Sequence, residues 1–515
     1  MSLVRAKLVF LCISFSLAII VSILFLKGAP RAFPLDDAYI HLTYAKNIAS
    51  GNGFAFNPNE PCFGTSSPLW VLLLAMFIRW LEPHLLVRII AIICLWSNFY
   101  LSSVIIWEQF KDRPGSNFSK FLISLLPPLF LGSSGNFLWI VFSGMESALF
   151  SALALDSVFV LTRKKPGILG YILLGLLCLT RLEAVLLIPL ILIWQWFNLE
   201  NKKQIAPILI SIFLPLAFHL WAYFQLGSFF PATRAGKLAS DLFNSGLSIK
   251  GGWIFLVRHF QYVFLTQPGM LFALALVLIG LISLIYQGGE KIKIGPISLF
   301  SLLAILIFFY HDQFFRSTQI LTPYHNLRYQ VLFFPWLALC LARICGGLLL
   351  GKRIREPQYI VIMVLVAIFI LCFAKIRQWR GLYINQALHI KDVHQKTALW
   401  AKAELPGSAR LACFDIGSLG FYSERYVIDL GGLTDPKIYP YFRAKNVGLY
   451  LKEKNATHYI EMGTPGSERM LGVKKNLGNL YQLKPVAYFA GRRIPEPVLL
   501  HSWEMKVFEI EWLKN

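Results

Sequence analysis

Two adjacent carboxylates, Asp36 and Asp37, stand in the stretch Phe33-Pro34-Leu35-Asp36-Asp37-Ala38-Tyr39-Ile40-His41, just after a long apolar run. Ionisable groups beside hydrocarbon are costly, so acids kept at a membrane surface are candidates for chemistry. A carboxylate there can take a proton from a hydroxyl or orient it for attack. If a helix opens at Leu35-Asp36-Asp37, the spacing places Asp37, His41, Tyr44 and Ile48 on one face of an amphipathic helix. The competing reading makes Asp36 an N-cap that satisfies the free N–H groups of that helix. Two acids are more than a cap needs.

The elements that must position this pair are mostly apolar. The chain has 515 residues, of which 56% are hydrophobic and 15% charged. Soluble domains carry about 25% charged residues, so the composition indicates a polytopic membrane protein. The formal net charge is +22, from 49 Lys and Arg against 27 Asp and Glu. These cations are scattered through short loops, which argues against the clustered footprint of a nucleic-acid binder. Retention of cytoplasmic loops and attraction to anionic lipid account for the excess.

The eight Cys show no metal-ligand spacing and no disulfide framework. Six of them, Cys12, Cys94, Cys178, Cys340, Cys345 and Cys372, lie in or beside apolar runs. Cys62 and Cys413 are the two expected to face an oxidising compartment, where they could pair. The plain reading of all eight is small buried hydrophobes.

The first apolar run, Leu8 to Leu26, is long for a signal peptide and closes on Phe25-Leu26-Lys27 without a small-residue cleavage site. It is expected to be a retained first span with its N-terminus inside. Further runs fall at about 67–81, 86–107, 119–133, 147–162, 167–180, 184–197, 205–225, 269–287, 295–310, 328–350 and 357–374. Basic clusters at Arg163-Lys164-Lys165, Lys202-Lys203, Lys291 with Lys293, and Lys352-Arg353 with Arg355 mark the inner side. They put 226–268, 311–327 and the chain after about 375 on the outer face. An odd number of crossings is then required, so 119–162, broken by Pro127-Pro128 and Gly132-Ser133-Ser134-Gly135, is expected to hide an extra short or re-entrant segment. The total comes to about 11–13 spans.

Residues 376–515 read differently, with turn signals at Pro406-Gly407, Gly431-Gly432 and Pro465-Gly466. Strand-like runs at Leu411–Phe414 and Tyr426–Leu430, and helical patterns around Ile390–Glu404 and Lys437–Lys454, predict a small soluble α/β domain. The expected organisation is therefore a multi-span unit over 1–375, with a first outer loop at about 27–66, followed by a domain over 376–515.

Six islands, in order along nearly the whole chain, resemble GT-C-fold glycosyltransferases of the protein-mannosyltransferase-like and mycobacterial arabinofuranosyltransferase-like groups. The first runs from Phe33 to Ile40 and continues through Tyr44-Ala45-Lys46-Asn47, Gly51-Asn52-Gly53, Phe56-Asn57-Pro58 and Gly64-Thr65-Ser66-Ser67-Pro68-Leu69-Trp70. Ser143-Gly144-Met145-Glu146-Ser147-Ala148-Leu149 resembles a G-x-E-x-x-L helix start. Leu179-Thr180-Arg181-Leu182-Glu183-Ala184 resembles a T-R-P-E-G motif, from which it departs at Leu182 and Ala184. Phe230-Pro231-Ala232-Thr233-Arg234-Ala235-Gly236-Lys237 resembles a P-N-T-x-x-x-K loop, with Ala232 in place of Asn. His325-Asn326-Leu327-Arg328-Tyr329 with Phe334-Pro335 resembles an R-Y-x-x-x-x-x-P helix start. The last island, Asp415-Ile416-Gly417, Gly420-Phe421-Tyr422 and Val427 to Pro436, is similar to the outer domain of the arabinofuranosyltransferase-like group.

This resemblance implies an enzyme that takes sugar from a polyprenyl-phosphate-type lipid on the outer leaflet and passes it to a glycan, lipid or protein acceptor. A lipid phosphate leaves readily, so such a site needs a base for the acceptor hydroxyl and cations for the departing phosphate. The resemblance assigns the base first to Asp36, with Asp37 orienting the acceptor or, with His41, helping to hold a divalent cation; no cofactor is otherwise called for. Arg181, Arg234, Lys237 and Arg328 are the expected phosphate ligands. His41, Tyr44, Glu146, Glu183 and Tyr329 complete the expected substrate-binding set. Attack opposite the leaving phosphate would invert the anomeric carbon. A bacterial inner membrane is the expected location; Asn117-Phe118-Ser119 and Asn455-Ala456-Thr457 would match glycosylation acceptors in a eukaryote.

Two other classes fit the composition. A flippase or transporter of lipid-linked sugars would carry charges along a path through the bilayer midplane, often in repeated halves. Here the unusual charges gather toward one face and no repeat is visible. A non-catalytic envelope assembly protein would make no demand on Asp36 and Asp37.

Overall fold

The computed structural model describes residues 3–163, 165–199, 205–232, 333–349, 357–444, 446–462, 481–491 and 504–513. The helical part comprises α1 (Leu3–Leu26), α2 (Asp37–Ala49), α3 (Pro68–Phe77), α4 (Pro83–Phe110), α5 (Asn117–Ser133), α6 (Gly135–Val141) and α7 (Ser147–Leu161). It continues with α8 (Ile168–Thr180), α9 (Leu187–Asn198), α10 (Ile208–Leu226), α11 (Phe333–Leu349) and α12 (Pro357–His389). Among the described residues, α1, α4 and α10 are each long and apolar enough to cross a membrane. The 24 residues of α1 reach about 36 Å, more than the ~30 Å hydrocarbon core. The apolar runs at 269–287 and 295–310 lie outside the described residues.

The short additional segment expected within 119–162 is α6, set at 71° to α5 across a short break. Its start is fixed by packing: a Cβ on Gly135 would lie 2.6 Å from the Cβ of Trp379 on α12, so only glycine lets the two helices approach this closely. The Trp139 indole N–H then donates to Gln386 Oε1 at 2.8 Å, and Tyr383 Oη donates to the Phe142 carbonyl at 3.1 Å.

Helix α12 runs without a break across residue 375, where the composition changes, and passes into a π-helical turn at Ile390–Gln395 before α13 (Lys396–Glu404). A π turn shifts the phase of the side chains that follow it. The remaining elements are β1 (Arg410–Cys413), α14 (Gly417–Tyr422), β2 (Tyr426–Asp429), α15 (Tyr439–Arg443), α16 (Val447–Glu453), β3 (His458–Met462), β4 (Tyr481–Ala490) and β5 (Glu504–Trp512). The strands form one sheet in the order β2-β1-β3-β5-β4. β1 pairs in parallel with β2 and β3, while β5 runs antiparallel to β3 and β4. The two parallel strands foreseen from their apolar runs are β1 and β2. β3, β4 and β5 carry no comparable apolar run.

The helical part and the C-terminal sheet share a core. Tyr44 of α2 and Phe54, Phe56 and Phe63 from the loop after it pack with Val393, Leu411, Cys413, Ile416, Val427 and Val507. For that reason α2 is buried on nearly every side from Ala38 to Ala45, and is no surface-lying amphipathic helix. Asn57 completes the join at the sheet edge: its Nδ2 donates to the Val427 carbonyl at 2.9 Å, and Val427 N–H donates to Asn57 Oδ1 at 3.0 Å. The side-chain amide thus stands in for a neighbouring strand. Neither Cys62 nor Cys413 is in a disulfide; Cys62 Sγ lies 2.9 Å from Tyr44 Oη, and Cys413 is buried in β1.

Asn57→Ala strips partners from both backbone groups of Val427 at a buried position. A loss of roughly 2 kcal/mol is expected, read as a lower melting temperature of the purified protein. Asn57→Asp, which keeps the acceptor and loses the donor, should fall between Asn57→Ala and wild type.

Candidate functional site

Asp36 does not cap its own helix. It has helical backbone angles, φ −65° and ψ −33°, and its side chain makes no hydrogen bond to α2. The carboxylate instead meets the start of α14, 381 residues further on: Gly417 N–H donates to Oδ2 at 2.6 Å and Ser418 N–H to Oδ1 at 2.9 Å. A Cβ on Gly417 would collide with the Asp36 carbonyl, so the glycine at this βα junction is what admits the acid. His394, on the π turn, places Nδ1 3.5 Å from Asp36 Oδ1 and 3.9 Å from Asp415 Oδ2. Burial pushes the Asp36 pKa up, but hydrogen bonding and charge from His394, with the Ser418 contacts, outweigh it and hold the pKa at about 2.

Asp37 is the first residue of α2 and is only partly buried, unlike Asp36. One turn on, His41 Nδ1 lies 3.0 Å from Thr65 Oγ1, and His41 Nε2 lies 3.7 Å from Glu146 Oε2. The other Glu146 oxygen accepts from Arg181 NH1 at 3.2 Å. His41, Glu146 and Arg181 are 5–6% exposed, so this is a buried polar chain reaching from α2 to the end of α8. Glu146 Oε2 has no hydrogen-bond partner among the described residues, a costly state that a hydroxyl donor would relieve.

Local sequence explains each position. Gly144 has φ +86°, and a Cβ there would come within 2.7 Å of both Phe33 and Ala38. The glycine lets the turn before α7 press onto the acidic loop, which aims Glu146 at His41. Arg181 sits in extended backbone, φ −154° and ψ 129°, between α8 and the 3₁₀ turn Leu182–Leu186. Thr180 Oγ1 donates back to the Leu177 carbonyl at 2.6 Å, closing off α8 just before it.

The structure therefore brings together three of the residues picked out from the sequence, His41, Glu146 and Arg181, with Asp37 one helical turn before His41 on α2. Asp36 faces the C-terminal domain. Tyr44 is fully buried, and its hydroxyl accepts from Gly64 N–H at 2.9 Å, so it holds the Gly64 loop. The Glu183 side chain and residues Arg234, Lys237, Arg328 and Tyr329 lie outside the described residues. Gly417, Ser418 and His394 were not foreseen as partners of Asp36; the only signal was the Asp415-Ile416-Gly417 island itself. Among the described residues, no group of three or more His, Cys, Asp or Glu is arranged to hold a metal ion.

A family profile described as a domain of unknown function (DUF8728) matches residues 376–494. No curated protein sequence matches the chain. Solved structures do. ArnT from Cupriavidus metallidurans bound to undecaprenyl phosphate superposes with a TM-score of 0.56 at 12% identity, covering 97% of both chains. Arabinofuranosyltransferase AftD from Mycobacteria gives a TM-score of 0.50 at 13% identity over 97% of this chain and 40% of its own. The Archaeoglobus fulgidus oligosaccharyltransferase gives 0.51 at 11% identity, over 93% of this chain and 72% of its own. The chain has the GT-C glycosyltransferase fold and is an integral membrane protein.

The Asp36 contacts make a measurable statement about stability. Its pKa is held at about 2 in the folded chain against an ordinary value of 3.8, so the unfolded chain takes up the proton first. The stabilisation is present above pH 3.8 and is lost as pH falls toward 2. Its size is about 2 kcal/mol. Asp36→Asn should lower the melting temperature at neutral pH and lose this part of the acid slope, giving curves that converge with wild type at the acid end.

Proposed function

We propose that the protein is a membrane glycosyltransferase that moves a sugar from a polyprenyl-phosphate-type lipid to a cell-envelope acceptor on the outer side of a bacterial inner membrane. The observation that carries this reading is the likeness in fold to ArnT bound to undecaprenyl phosphate along 97% of both chains, together with a half-buried acid, Asp37, one turn before the buried polar chain of His41, Glu146 and Arg181.

In the reaction the acceptor oxygen forms a bond to the anomeric carbon while the bond from that carbon to the phosphate oxygen breaks. The bonding pair leaves with the phosphate, the acceptor proton passes to a carboxylate, and the anomeric centre inverts. The base in this reading is Asp37. Asp36 has both oxygens taken by N–H donors and a pKa near 2, which makes it a weak proton acceptor. Asp36 holds the loop so that Asp37 meets the acceptor. Glu146 Oε2 receives a sugar or acceptor hydroxyl, and Arg181, bonded to the other oxygen, aims that carboxylate. In this reading Arg234, Lys237 and Arg328 supply positive charge for the phosphate, and Glu183 and Tyr329 belong to the substrate-binding set.

The test is transfer by purified protein from radiolabelled polyprenyl-phosphate mannose, glucose or arabinose to envelope extract. Asp37→Asn should lose roughly 10²- to 10⁴-fold in rate with an unchanged melting temperature. Asp36→Asn should lose activity and melting temperature together. Full transfer by Asp37→Asn would overturn the base assignment. Carrier movement across liposomes without transfer from any donor would replace the enzyme by a flippase.

A further inference from the structure

Outside the residues discussed so far, the Tyr39 hydroxyl is a junction with three hydrogen-bond partners. It accepts from Phe33 N–H at 3.1 Å and from Gln395 Nε2 at 2.7 Å. It also lies 3.0 Å from His84 Nε2, whose other ring nitrogen is 2.6 Å from Glu82 Oε1. Tyr39 is fully buried and His84 is 5% exposed, with the Phe33 ring stacked on the imidazole at 5.0 Å.

Counting donors and acceptors fixes where the protons are. A phenol oxygen has one proton and two lone pairs. The two N–H donors use both lone pairs of Tyr39, so its proton is left to donate, to His84 Nε2 at 3.0 Å or to the neighbouring Tyr422 hydroxyl, and neither leaves Tyr39 a lone pair for a further donor. His84 then carries its own proton on Nδ1 and gives it to Glu82, which the second Glu82 oxygen helps anchor by accepting Leu85 N–H at 2.8 Å. The arrangement holds only while the imidazole is neutral. A second proton, on Nε2, would point an N–H at an oxygen with no lone pair left.

The junction grips the acidic loop at both ends. Phe33, held through its N–H, begins the loop, and Tyr39, whose own N–H donates to the Asp36 carbonyl at 2.9 Å, ends it. Both acids lie between. Gln395 is the neighbour of His394, so the π turn delivers one side chain to Asp36 and the next to Tyr39.

We propose that Glu82, His84 and Gln395 are positioning residues for the Asp36–Asp37 loop, acting through the Tyr39 hydroxyl, and that the loop is held in place only while His84 is neutral. The claim about catalysis rests on the glycosyltransferase reading; the claim about the junction does not. The charged and titratable groups facing His84 are Glu82, which caps α4, Arg88 on α4, Arg31 in the loop after α1, and Tyr39 on α2, with Tyr422 of α14 against Tyr39. A proton on Nε2 has no acceptor in the folded junction, which disfavours the charged imidazole there. The unfolded chain therefore binds the proton first, and stability is lost as pH falls below about 6.5.

Full-length wild type, His84→Gln, His84→Phe and Glu82→Gln are compared by melting temperature and by transfer rate as functions of pH. Glutamine places an amide oxygen near the position of Nε2 and does not titrate, so His84→Gln should keep most transfer at neutral pH and flatten the acid limb in both readouts. His84→Phe, which fills the space without an acceptor, should lose roughly 10- to 100-fold in transfer at every pH. Glu82→Gln removes the charge that favours protonated His84, so the acid limb of its transfer rate should move to lower pH, while its melting temperature still begins to fall near pH 6.5 and falls further than that of wild type. Superimposable profiles for wild type and His84→Gln, or wild-type transfer by His84→Phe, would overturn the proposal. If wild type transfers no sugar, the melting curves still decide the junction, and the failure belongs to the proposed function alone.

Discussion

The Asp36 carboxylate accepts the first two N–H groups of α14, and the placement of the C-terminal domain on the helical part depends on this contact. The sheet order β2-β1-β3 makes the chain leave β1 to one side and return on the other. In open parallel sheets, the loop beyond such a strand and the helix start behind it form a natural seat for an anion. Here the anion is the protein's own side chain, delivered from a loop near the other end of the sequence. The seat is therefore filled from within, and the domain serves as a clamp on the acidic loop.

A buried carboxylate is costly unless donors surround it. Two amide N–H groups and the nearby His394 supply them, and removing any one leaves the others facing an incompletely compensated charge. The same logic governs Glu146, with one oxygen on Arg181 and the other lacking a hydrogen-bond partner among the described residues. The two acids differ in what they leave open. Both oxygens of Asp36 accept from its own chain, whereas Glu146 Oε2 has His41 Nε2 at 3.7 Å and no hydrogen bond among the described residues. That contrast divides holding from receiving more sharply than exposure does, since both are nearly fully buried.

Much of this was legible in the sequence. The apolar helices among the described residues, the broken segment near Gly135, and strands β1 and β2 follow from periodicity and turn signals, and His41 and Glu146, which meet in the structure, were each picked out by motif. The partner of Asp36 was not legible, because it depends on a contact spanning 381 residues that no local pattern encodes. The competing reading of Asp36 as a cap named the right interaction and the wrong helix. Tyr44 was misleading for a related reason: helical spacing puts it on the face of Asp37 and His41, but α2 is enclosed on that face too, and its hydroxyl ends on Gly64. The π turn was equally hidden, since Ile390 to Glu404 reads as ordinary helix.

That turn explains how one helix can serve two masters. An unbroken α-helix separates consecutive residues by about 100° around its axis, so His394 and Gln395 would diverge from one another. The wider turn at Ile390–Gln395 occurs where the helix leaves the apolar part and meets the acidic loop. His394 there reaches Asp36, and Gln395 reaches Tyr39 three residues further along α2. π turns tend to occur at functional sites because the local departure from α geometry costs stability. The two contacts it makes here fall on either side of Asp37 in the sequence. A loop held in this way from both sides leaves its middle acid little freedom to wander, which is the condition a general base needs to meet a hydroxyl in the right geometry.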